Sequence, residues 1–128
     1  MNDILNLNLG RMKGQKLKVT GIKTDTITSP RDGSDLEKVI LVCETKQGQA
    51  RNVDEGWVRD HKKSLNSQGL WITLDDDGQI SAACTLGKLL KYLNVSSLKE
   101  VIGMEIKAYP KQNSFLAVAT TEISDSEL

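Results

Sequence analysis

The hydrophobic positions of this chain change period twice. From Lys16 to Lys23 (KLKVTGIK) they alternate, with Leu17 and Val19 on one side and Lys16, Lys18 and Thr20 on the other. A period of two predicts a half-buried strand. Gly21 interrupts the alternation, as a bulge or bend does. SPRDGSD (29–35) is punctuated as a loop. Lys38 to Thr45 (KVILVCET) carries five consecutive apolar residues. Its shortness and β-branched content predict a strand covered on both faces. KQGQ follows as a turn, and Ala50 to Val53 pairs back as a hairpin partner. The stretch around Trp57 reads either way, and HKKSLNSQG (61–69) reads as a long polar loop.

Leu70 to Leu74 (LWITL) predicts a strand, DDDG a turn, and Gln79 to Ala82 the return. At Thr85 the period lengthens. Leu86, Leu89, Leu90 and Leu93 recur at i, i+3, i+4 and i+7, one face of a helix. Thr85 suits its N-cap, and Asn94 suits a left-handed terminal residue. Ser97-Leu98-Lys99-Glu100 has the form of a capping box, opening a short second helix that Gly103 stops. Met104 to Tyr109, the turn PKQN and Ser114 to Thr121 predict a closing hairpin, and Ile4, Leu5, Leu7 and Leu9 give the lead-in a short strand or helical turn. Five to seven short strands with one helical insertion predict a mainly β protein, a small antiparallel barrel of the oligonucleotide-binding class. Such barrels have five strands, are partly open, and often hold a helix between the third and fourth. A length of 128 residues predicts a single domain, 1–128, with a short acidic tail over 120–128.

TLDDDGQISAAC (73–84) raises the question of a calcium loop. With Gly78 at the sixth position of the twelve-residue loop, Thr73 falls where the first aspartate belongs and Cys84 where the bidentate glutamate belongs. Two essential oxygen donors are missing. Asp-Gly between two strand-like segments predicts a hairpin turn instead.

Charge adds a mild asymmetry. Seventeen basic residues balance seventeen acidic ones, but the first thirty residues carry a net charge of +3. The tail holds Glu122, Asp125 and Glu127 without a base. Cys43 and Cys84 belong to no C-x-x-C pattern and sit in apolar strings, so both read as small buried hydrophobes with reduced thiols. No signal peptide and no apolar run of membrane length is visible, so the chain reads as cytoplasmic. His61 lies in a polar loop, no nucleophile or phosphate-loop motif is present, and His and Cys together are too few for zinc. The residues therefore predict a non-catalytic protein without metal or cofactor.

The remaining pattern is cations beside scarce aromatics. Only five residues are aromatic. Lys107 and Tyr109 share a strand face, Lys16 and Lys18 repeat the chemistry on the first strand, and Arg51, Arg59 and Lys111 add charge nearby in sequence. Single strands are bound by such combinations, cations following phosphate while rings stack on bases. Trp57 and Tyr109 are the expected stacking rings, and Trp71 is assigned to the core.

GLWITLDDDGQISAACTLGKLLKYLNVSSLKEVIGMEIKAYPKQNSFLAV (69–118) resembles small archaeal and viral proteins that look like oligonucleotide-binding-fold modules. The shared features are a strand, a leucine-rich helix, an L-x-x-x-I-G segment ending at Gly103 and a closing hairpin. The resemblance implies binding of single-stranded DNA, and the acidic end is similar to tails that recruit protein partners. The expectation is thus a binder of single-stranded nucleic acid, DNA before RNA, with little sequence preference. Lys16, Lys18, Arg51, Arg59, Lys107 and Lys111 would meet phosphate, and Trp57 and Tyr109 would meet bases. The alternative is a protein-interaction or inhibitor module of the same fold, using the acidic tail, a sheet edge or the leucine helix.

Overall fold

A computed structural model describes residues 14–111 and 116–124. Seven strands form one sheet: β1 (Gln15–Thr28), β2 (Asp35–Glu44), β3 (Ala50–Val53), β4 (Glu55–Arg59), β5 (Leu65–Gly69), β6 (Glu105–Pro110) and β7 (Leu116–Ala119). Their order across the sheet is β3-β2-β1-β6-β7-β4-β5. One α-helix, α1 (Thr85–Tyr92), and one 3₁₀ turn, Leu98–Val101, lie between β5 and β6. The protein is mainly β, as the sequence predicts, but the sheet is mixed rather than antiparallel. β4 and β7 run parallel, with Gly56 beside Val118 and Trp57 beside Ala119. Strands so far apart in sequence, joined by a crossover through a helix, are free to pair this way.

β1 is the longest strand and an interior one, pairing with β2 on one edge and β6 on the other. Its register slips between Val19 and Gly21, where the glycine predicted a bulge. The slip sets which side chains face which way. Leu17 and Val19 point into the core, and after the bulge Ile22 pairs with the core residue Leu41. Lys16 and Lys18 point outward, and so does Lys23, five residues on from Lys18. In an uninterrupted strand an odd spacing would place the two on opposite faces.

β2 differs from its expectation of cover on both faces. Val39, Leu41 and Cys43 are buried, while Ile40 and Val42 are partly exposed on the outer side. Beyond β3, the edge of β2 is taken by residues 70–72, with Val39 N–H donating to Leu70 O (2.8 Å) and Ile72 N–H to Glu37 O (2.8 Å). LWITL is therefore no regular strand but a short run with bridges at Lys38–Trp71 and Leu74–Ile80. The expected polar loop at 61–69 is a turn at 60–64 followed by β5, which pairs along β4. Polar side chains hide this strand from a hydrophobic pattern.

DDDG is the predicted hairpin turn. Asp75 N–H donates to Gln79 O (2.7 Å), and its Oδ1 accepts from the N–H groups of Asp77 (2.9 Å) and Gln79 (3.0 Å). Gly78 takes the positive φ of 77° that the turn needs. No cluster of metal-ligating side chains occurs among the described residues.

α1 buries Leu86, Leu89 and Leu90 in the core, as its period predicts. Its N-cap is Cys84 rather than Thr85. Cys84 has extended backbone and its Sγ accepts from Gly87 N–H (3.4 Å), while Thr85 Oγ1 donates to Gln68 Oε1 (2.9 Å). Asn94 has the expected left-handed φ, 58°. The second helix is only the 3₁₀ turn. Ser97 makes no side-chain cap, and Glu100 Oε2 accepts from Ser96 N–H (3.0 Å) instead. β6 and β7 form the predicted closing hairpin. The lead-in over 1–13, part of the PKQN turn and the last four tail residues lie outside the described residues. No helix among the described residues is long and apolar enough to cross a membrane.

Candidate nucleic-acid interface

The predicted binding residues divide into three groups. Lys16, Lys18 and Lys107 share the outward face of β1 and β6, with Lys16 directly opposite Lys107. Lys16 Nζ is 3.9 Å from Glu105, while Lys18 and Lys107 make no ion pair among the described residues. These cations face solvent as expected.

Trp57, Tyr109, Arg59 and Lys111 occupy the same sheet farther along, on β4, β6 and the residue after β6, but their chemistry is already engaged. Tyr109 is only 4% exposed. Its ring lies under the backbone of Gly14, where an added Cβ would sit 2.7 Å from Tyr109 Cε1. It is no stacking platform. Trp57 is half-buried, and its Nε1 donates to Tyr109 O (3.3 Å). Lys111 pairs with Glu55 at 2.5 Å, both half-buried. Arg59 donates to Lys63 O (3.2 Å) and Glu122 O (2.7 Å). A cation spent on a neighbouring carboxylate or carbonyl has less to offer a phosphate.

Arg51 stands apart. It pairs in register with Cys43, and Lys18 with Glu44, so Arg51 and Lys18 lie on opposite faces of the sheet. Its guanidinium donates to Ala50 O and Gln49 Oε1. The expectation that Arg51 joins the lysines fails because the alternation of β3 turns it the other way.

The ring that does reach the lysine face is Trp71, assigned to the core from sequence. Like Trp57 it is half-buried, but it lies beside Lys38, whose Nζ is 5.2 Å from the ring centroid. Lys38 also pairs with Asp54 at 3.3 Å and is mostly covered. Its charge thus holds the indole by a cation–π contact of about 0.5–2 kcal/mol. Gly69 lies against the indole edge, an added Cβ falling 2.6 Å from Trp71 Nε1. The outward row on β2 is Lys38, Ile40 and Val42, and its partners on β1 are Asp25, Lys23 and Gly21. A lysine row (Lys107, Lys16, Lys18, Lys23) therefore runs beside an apolar row that ends at Trp71. Lys23, Ile40 and Val42 were missed because the apolar run of β2 concealed its alternation.

Two clefts flank α1. One of about 440 Å³ lies between Trp71, Gln68 and Thr85 at the helix N-terminus. Another of about 430 Å³ lies between Arg59, Lys88, Lys91, Tyr92 and Glu122. A third groove, about 830 Å³, opens on the opposite flank between Ile80, Leu90 and Leu98.

Comparison with known proteins finds no family, no curated protein and no solved structure that matches this chain.

Proposed function

We propose that the chain is a non-catalytic module of the oligonucleotide-binding-barrel class that takes single-stranded nucleic acid, with little sequence preference, on the outward face of β1 and β2. The barrel reading rests on Asp54. It is the one residue between β3 and β4. Taken as a single strand bent there, β3–β4 pairs with β2 by its first half and with β7 by its second. The order then runs from β3–β4 through β2, β1, β6 and β7 back to β3–β4, a ring of five with α1 between its third and fourth members in chain order. In this class the ligand face is built around the second and third strands, here β2 and β3–β4, and the proposed face shares β2 with it.

The observation that carries the functional reading is the pair of rows on that face. Lys16, Lys18 and Lys23 offer charge to a phosphate path. Val42, Ile40 and Trp71 offer an apolar, partly aromatic surface to bases. The test is tryptophan fluorescence during titration with a thymine oligonucleotide at low and at moderate salt. Quenching that saturates at low salt and fades at moderate salt is expected, since phosphate contacts release counterions. Trp71→Ala should remove most of the quench, and Trp57→Ala should keep it. A folded protein with no binding at low salt would overturn the reading.

One observation favours a protein partner instead. Ile27 and Leu36 face each other at the end of the β1–β2 hairpin, 42% and 46% exposed. An apolar pair at the tip of a ribbon suits a protein surface. On this second reading, a partner co-purifies with the chain and is lost with Ile27→Asp and Leu36→Asp, while oligonucleotide leaves the fluorescence unchanged.

A further inference from the structure

We infer that α1 carries the bound strand away from Trp71, with Lys88 and Lys91 meeting its phosphates and Tyr92 stacking a second base; this rests on the nucleic-acid reading above. The two clefts beside β4 and β5 share this helix. Thr85 lines the first, and Lys88, Lys91 and Tyr92 line the second. Thr85, Lys88 and Tyr92 stand at i, i+3 and i+7, a single stripe of the helix. The stripe faces the sheet extension, because Thr85 bonds Gln68 of β5 and its Cγ2 lies near Gly56 of β4. The two clefts thus follow one another along this stripe of the helix, and a strand that passes from one to the other would make them a single trench. From Thr85 to Tyr92 the helix rises about 10 Å, roughly the length of three stacked nucleotides.

The lining supplies both halves of single-strand recognition. Tyr92 is the one aromatic among the described residues that is more than a third exposed, at 39%. Its hydroxyl donates to Glu122 Oε1 (3.1 Å), which fixes the ring at the trench wall. Lys88 and Lys91 are exposed and make no ion pair among the described residues. With Arg59 they place three cations in a cleft whose one carboxylate among the described residues is Glu122. Arg59 is occupied by the Lys63 and Glu122 carbonyls, so it contributes long-range field rather than a direct contact. The trench begins at the Trp71 ring, where the sheet face ends. A strand laid along β1 and β2 reaches it without leaving the surface.

The experiment measures affinity for a thymine oligonucleotide across a salt series, reporting on Trp71 quenching and, independently, on anisotropy of a labelled oligonucleotide. Lys88→Ala with Lys91→Ala should lower the slope of log affinity against log salt by about 1.4, the share of two single-strand phosphates. Lys99→Ala, on the 3₁₀ turn, should leave the slope unchanged. Tyr92→Leu should weaken binding by about fivefold to about 150-fold, the range of one stacked base, while Tyr92→Phe keeps most of the affinity. Binding that saturates with Trp71 quenching, yet has the same slope in the double variant and the same affinity in Tyr92→Leu, would overturn the trench and leave the sheet-face reading intact. Absence of binding by the unaltered protein would remove both.

Discussion

Cys43 and Cys84 are alike in sequence and unlike in the fold. Cys43 is fully buried, and burial pushes its thiol up to about 11. Cys84 is partly exposed at the head of α1. Because only thiolate reacts, iodoacetamide near pH 8 should give one adduct, at Cys84, and a second only after unfolding. Intact mass and peptide mapping check this, and early modification of Cys43 would count against its burial. The Cys43 shift has a defined sign for stability. The fold favours the neutral thiol, so its contribution is complete below the unfolded value of about 8.5. It is lost as pH rises toward about 11. Gly87 makes a sharper test of packing, since an added Cβ would sit 2.0 Å from Ser81 O. Gly87→Ala should therefore cost about 1–3 kcal/mol in urea unfolding, despite alanine's better helix propensity. Tyr109 shows where single residues stop being legible. Its alternation with Lys107 places it outward correctly, but Gly14, distant in sequence, covers the ring.

Among the elements, those with a clear period were legible: the first part of β1, β6 and α1 follow from their apolar spacing. β5 was not, because Leu65–Gly69 is polar and is held by pairing with β4 rather than by an apolar face. LWITL misled in the opposite way. Leu70 is core, but Trp71 turns outward to Lys38, and a run with four apolar residues in five gives no sign of which side faces water. The candidate site suffered most from this, since its principal ring lies there. The helix cap offers a prediction at this scale. The Cys84 thiol is a weak acceptor for Gly87 N–H, and serine is among the preferred caps. Cys84→Ser should stabilise the protein by up to about 1 kcal/mol, and Cys84→Ala should destabilise it. Chemical unfolding of the two variants reads both signs.

For the molecule as a whole, the sheet order predicts where opening begins. β1 is paired on both edges and carries core residues Leu17 and Val19, whereas β5 is paired only with β4. Amide exchange should be slowest in β1, β2 and β6, and fastest in the turns at 29–34 and 75–79. Equal protection of β5 and β1 would contradict the order. The bulge after Val19 has a larger consequence than the bend it makes. It changes the phase of the strand, so that hydrophobic residues on either side of it meet one core while lysines on either side meet one surface. Thr20 is the extra residue that the bulge absorbs, and the regular strand after it has no such slack. Deleting Thr20 would restore plain alternation and keep Ile22 on the core and Lys23 on the surface, whereas a residue added between Ile22 and Lys23 would invert every position that follows within the strand. A residue added at the tip, between Pro30 and Gly33, would only lengthen a loop. Tolerance to insertion and deletion should thus change abruptly within a dozen residues of one hairpin.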